Sequence, residues 1–189
     1  MSQTPAAKQQ AEDKPQTNAD VQAAAMELGM KLEPTREHKW LQKFVGEWTY
    51  EMDASMEPGK PPVKMTGSET IRPFGEVWVQ GHGTSQMPDG SPAETQITLG
   101  YDPLKKRFIG TWLGTMMAHL WVYDGELSAD ERTLTLNSEG PSMTEQNKRA
   151  NYRDVFEFKN DDLRTLTAFV QGDDGQWSQF MTLDYHRKK

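Results

Sequence analysis

The spacing of apolar positions changes once along the chain, and that change divides it. After Met1, residues 1–18 hold Gln, Lys, Ala, Thr and Pro and no large apolar side chain. Such a stretch buries too little surface to offset the entropy of ordering it, so a disordered N-terminal tail is expected. Within 19–34, Val21, Ala24, Ala25 and Leu28 recur at i, i+3, i+4 and i+7. This spacing predicts a short amphipathic helix with Asp20 as N-cap and Gly29 as its stop, followed by a linker. A helix of that length is marginal unless it docks. Thr35 is placed to cap a second short helix, with Leu41, Phe44 and Val45 on its apolar face and Gly46 at its end.

From Trp48 the period is two. Trp48, Tyr50, Met52, Ala54 and Met56 alternate with Thr49, Glu51, Asp53 and Ser55, the pattern of a strand with one dry and one wet face. Val63, Met65, Gly67, Glu69 and Ile71 repeat it up to Pro73. Further strands are expected over 76–85, 97–101, 107–114 and 116–123, at Leu134 and Leu136, and over 152–158, 163–170 and 177–187. Pro58-Gly59, Asp89-Gly90, Asp102-Pro103 and Asp173-Asp174-Gly175 punctuate them. Roughly nine or ten short strands in sequential order indicate an all-β sandwich or barrel. Consecutive hairpins favour closure, because a closed barrel leaves no unpaired edge. The expected architecture is an all-β, antiparallel up-and-down β-barrel over 35–189, preceded by one or two short helices and the tail.

Charge and composition narrow the function classes. With 28 acidic and 21 basic residues the net charge is -7, which argues against nucleic acid and against an anionic membrane surface as partners. The chain has no cysteine, so disulfides and thiolate chemistry are excluded. No run reaches the ~18 apolar residues of a membrane span, and the first residues show no signal-peptide core. A soluble, cytoplasmic protein is the expectation.

Several motifs, taken in order, resemble a known family. Gly46-Glu47-Trp48 follows a short helix; then come Gly100-Tyr101-Asp102-Pro103, Gly110-Thr111-Trp112, Tyr123-Asp124-Gly125 and a closing Tyr185-His186-Arg187-Lys188. Over about 35–189 the chain is similar to the bacterial domain of unknown function 1579 family. That resemblance implies a calycin-like barrel of lipocalin type and no established activity. It also implies a closure in which Gly46 and Trp48 sit on the first strand and Arg187 stacks over the Trp48 ring. Parity agrees, since Trp177, Gln179, Met181, Leu183, Tyr185 and Arg187 share one face of the last strand.

The candidate chemistry follows from which side chains share the inner face. Trp78, Trp112, Met117, Trp121 and Tyr152 are expected to supply contact area for an apolar ligand, and His119 or Glu69 to orient it. Against this, small barrels fill their interiors with side chains, and His119 or Glu69 would then be a satisfied core group or a solvated strand end. Asp154, between Tyr152 and Phe156, invites the same two readings. Segment 116–123 is apolar on both faces, which suggests that a helix or a second subunit covers it. Gly81-His82-Gly83 lacks the strand-to-helix context of a phosphate loop, and no two of the four histidines have metal-ligand spacing. No metal or cofactor is expected. The favoured function is a binding module for a small apolar ligand. Two alternatives stay open: a hydrolase or isomerase using a cavity carboxylate with His119, and a filled, non-catalytic interaction protein, with a homodimer as its expected assembly.

Overall fold

A short helix stoppers one end of the barrel, and its sequence explains how. The structure, a computed structural model, describes residues 33–54 and 62–189. The tail, the helix read at 21–28 and the Pro58-Gly59 turn lie outside the described residues. α1 (Arg36–Leu41) begins at Thr35, whose N–H donates to His38 Nδ1 at 2.9 Å. That bond leaves the proton on Nε2, which donates to the Tyr101 carbonyl at 3.0 Å. His38 is 4% exposed, and both of its ring nitrogens are satisfied, as burial requires. A single 3-10 turn, Gln42–Phe44, continues the helix. Trp40, Leu41 and Phe44 are buried. Trp40 meets Phe108 and Phe158 edge-on at 5.8 and 5.6 Å, and Phe44 meets Phe156 at 5.2 Å. The helix is thus held by its docked apolar face rather than by its own propensity.

Ten strands follow: β1 (Gly46–Ala54), β2 (Val63–Phe74), β3 (Trp78–Gln86), β4 (Pro92–Asp102), β5 (Arg107–Gly114), β6 (Trp121–Leu127), β7 (Thr133–Pro141), β8 (Arg149–Asn160), β9 (Leu163–Gln171) and β10 (Trp177–Arg187). Each pairs antiparallel with the next, and β10 returns to β1 in a closed barrel. The closing register runs from Trp48↔Arg187 to Ala54↔Met181. The alternation read from the sequence sets what points inward: Trp48, Glu69, Ile71, Val79, Leu99, Phe108, Leu136 and Phe156 are all buried. Most of that packed core sits at the helix end.

Two sequence expectations need correction. Segment 116–123 is not one strand: residues 115–120 form turn and coil, and β6 starts at Trp121. Its apolar content on both parities therefore belongs mostly to a loop at the barrel's other end, not to a doubly covered strand. On β10 the register shifts between Gln179 and Met181. The bulge at Phe180 reverses parity, so Trp177 and Gln179 pair with outward-facing Gln171 and Phe169 and do not share the face of Leu183 and Tyr185.

Candidate functional site

Above the helix-packed end the barrel is hollow. Its cavity has a volume of about 340 Å³ and opens at the end where β1, β5 and β8 have their outer tips. Six methionines line it, Met52, Met65, Met87, Met116, Met117 and Met181, together with eight aromatic rings. Methionine is unbranched and polarizable, so a wall built from it adapts to varied shapes.

An edge-to-face chain of rings borders the mouth. His119 meets Trp121 at 4.8 Å, Trp121 meets Tyr152 at 4.8 Å, and Tyr152 meets Phe180 at 6.1 Å. The Tyr152 hydroxyl donates to the Pro141 carbonyl at 2.5 Å, fixing its ring. The β6–β7 ladder runs from Leu127↔Leu134 only as far as Asp124↔Asn137. Nearer the mouth, side chains bridge these strands. His119 Nε2 lies 3.2 Å from the Glu139 carbonyl, and Trp121 packs where any Cβ on Gly140 would collide with its ring. Trp121 Nε1 donates to Met117 Sδ at 3.1 Å.

The inner end is polar in a few places. Arg164 on β9 is wholly buried and ion-paired with Glu69 on β2 through Nη2 and Oε2. Its Nε and Nη1 have no hydrogen-bond acceptor. They lie instead among rings: the guanidinium carbon is 4.2 Å from the Tyr185 centroid, 4.6 Å from Trp48 and 4.9 Å from Phe44. Desolvated contacts of this kind are worth about 2 kcal/mol or more. On the far side of Trp48, Arg187 stacks at 4.1 Å. It donates to the carbonyls of Val45, Lys43 and Asp161 at 2.5, 3.0 and 2.8 Å. Gly46 makes that approach possible: its φ is +141°, and a Cβ there would overlap the Arg187 guanidinium.

Mouthward of this floor, the Tyr123 hydroxyl donates to Asp154 Oδ2 at 2.6 Å. Burial raises the Asp154 pKa from 3.8 to about 6, against the lowering effect of the Tyr123 bond. Burial also holds the phenols of Tyr123 and Tyr185 well above their ordinary value, with the nearby carboxylates of Asp154 and Glu69 adding to it.

The structure places Glu69, Trp112, Met117, Trp121 and Tyr152 on the cavity wall. Two candidates lie elsewhere. Trp78 points outward, its ring lying over Gly100 of β4, because inward parity on β3 belongs to Val79, Gly81 and Gly83. His119 belongs to the β6–β7 bridge and pairs with neither cavity carboxylate. The pairs that do form are Glu69–Arg164 and Tyr123–Asp154. Sequence reasoning passed over Arg164 and Tyr185. The signal for Arg164 was its parity with Leu166 and Ala168 on β9. Among the described residues, no cluster of three His, Asp or Glu could hold a metal ion, and no helix is long and apolar enough to cross a membrane.

In fold the chain is similar to an S-type phycobiliprotein lyase, CPES, from Guillardia theta: TM-score 0.55 and 11% identity over 82% of this chain and 94% of that one. It is equally similar to Rv2717c from M. tuberculosis: TM-score 0.55 and 10% identity over 83% of this chain and all of that one, 100%. At these identities the likeness establishes the barrel and nothing finer. No curated protein matches the chain by sequence. A family model described as "Protein of unknown function (DUF1579)" matches residues 33–187, nearly the whole described barrel, and the chain belongs to that family.

Proposed function

We propose that this protein is a non-catalytic binding module that takes one small, mainly apolar molecule into its barrel. The observation that carries the reading is the cavity: about 340 Å³, walled by methionines and aromatic rings, and open at one end only. Its size falls at the lower end of known ligand sites, roughly 300–1,000 Å³. The opposite end is closed by α1, by the Trp48 ring and by the two guanidiniums on its faces. The Guillardia theta protein that shares the fold is a phycobiliprotein lyase, which is compatible with a ligand-holding barrel here. The hydrolase or isomerase alternative loses its proposed pair, since His119 is engaged with the Glu139 carbonyl.

The test is a titration of the full chain with N-phenyl-1-naphthylamine, a neutral dye whose fluorescence rises in apolar surroundings. Saturable one-to-one binding is expected, weakened about tenfold or more in Met65→Trp, which fills the mouth. A linear, non-saturating response, or binding indifferent to that substitution, would refute the reading.

One observation favours a second reading. Leu113 on β5, Leu120 in the loop just before β6 and Val122 on β6, which pairs with Thr111 two residues from Leu113, are 41%, 50% and 61% exposed. Contiguous apolar surface of this kind marks an interaction site, and a second copy of this chain would cover it. Sedimentation velocity at micromolar concentration decides: a dimer supports this reading and a monomer removes it.

A further inference from the structure

Among the described residues, the cavity wall carries two carboxylates, Glu69 and Asp154, and no lysine, arginine or histidine. The two carboxylates are not equivalent. Glu69 is answered by Arg164, which lies behind the wall and is shut off from the cavity by the rings around it. Asp154 has one partner, the neutral Tyr123 hydroxyl on Oδ2, and its Oδ1 takes no bond among the described residues. The interior therefore holds one negative charge without a counter-cation. A buried charge is costly unless it is paired.

We propose that the ligand is an amine: an apolar body with a protonated nitrogen that pairs with Asp154 at the inner end of the barrel. The reading rests on the binding function above and names the chemistry of its ligand. Two features agree with it. The nitrogen would supply the missing cation and donate to Asp154 Oδ1. The rings of Tyr123, Tyr185, Tyr50 and Phe156 border the same inner end, and aromatic faces attract ammonium groups. An anionic head group would instead meet two carboxylates and no exposed cation, so fatty-acid-like ligands are selected against. At neutral pH Asp154, with its pKa at about 6, is mostly ionised and ready to pair.

The test uses three probes with one apolar body, octylammonium, octanol and octanoate, titrated by calorimetry into the full chain at neutral pH. Octylammonium is expected to bind about tenfold or more tightly than octanol, and octanol more tightly than octanoate. Asp154→Asn is expected to collapse the ammonium-to-alcohol ratio toward one. Octanoate binding as well as octylammonium would overturn the proposal while leaving a binding barrel intact. A ratio unchanged in Asp154→Asn would overturn it too. Failure of all three probes to bind would sink the binding function itself and this inference with it. If Asp154→Asn does not fold, the three probes on the unaltered chain still decide.

Discussion

At the scale of single residues, the barrel stores two buried charges in different ways. Arg164 has one carboxylate and several aromatic faces for its buried donors. Glu69→Gln would remove the carboxylate and leave the guanidinium unpaired, a change that typically costs about 3–5 kcal/mol. The double variant Glu69→Leu with Arg164→Met removes both charges and is expected to lose clearly less than Glu69→Gln alone, measured by urea unfolding. Equal losses would show that the pair is not coupled. Asp154 is different, because its folded pKa is raised, from 3.8 to about 6. The folded state then binds the proton more tightly than the unfolded chain does, so this group's contribution to stability falls as pH climbs from about 4 to about 6 and is level above that. Asp154→Asn keeps an acceptor for Tyr123 and removes the penalty. It is expected to raise stability by about 1–3 kcal/mol near pH 7.5 and by little near pH 3. Alternation set Glu69 and Asp154 among apolar neighbours but left a cavity carboxylate and a solvated strand-end charge both open. Arg164 was not legible, because an arginine near a strand start ordinarily reads as a solvated charge; only the rings of Phe44, Trp48 and Tyr185, brought from distant strands and the helix, make its burial tenable.

At the scale of elements, alternation of period two read the strands well wherever the strand was regular. It failed where the chain departs from a ladder. The bulge at Phe180 moved Trp177 and Gln179 off the face that Arg187 was grouped with, and no residue type in that stretch announces an extra residue. The first part of the strand read over 116–123 was misread because Met116, Met117, Ala118 and Leu120, which lie in a loop near the mouth, look like a strand buried on both faces. Trp78 was misplaced by grouping tryptophans on their type rather than on the parity of β3. The β1 start is the element whose geometry rests most on a single glycine. Gly46 combines φ +141° with the contact to Arg187. Gly46→Ala is expected to cost about 1–3 kcal/mol from backbone strain, with a further loss as Arg187 is displaced from Trp48. Denaturant unfolding checks this: Arg187→Ala combined with Gly46→Ala should lose less than the sum of the two single changes, whereas strict additivity would mean the glycine does not serve the arginine.

At the scale of the whole molecule, the order and number of strands were legible because sequential hairpins leave a closed barrel as the natural way to hide every edge. Hollowness was not. Parity tells which side a side chain takes; it does not tell whether ten strands' worth of inward side chains fill the space they enclose. Here they fill it only at the helix end, where Trp40, Phe44, Trp48, Phe108, Phe156 and Phe158 converge, and leave about 340 Å³ on the other side. The most direct test of that division is native mass spectrometry on the protein purified from its own host, compared under native and denaturing conditions. The account predicts one discrete added mass per chain that disappears on denaturation. A bare chain mass under both conditions would contradict it.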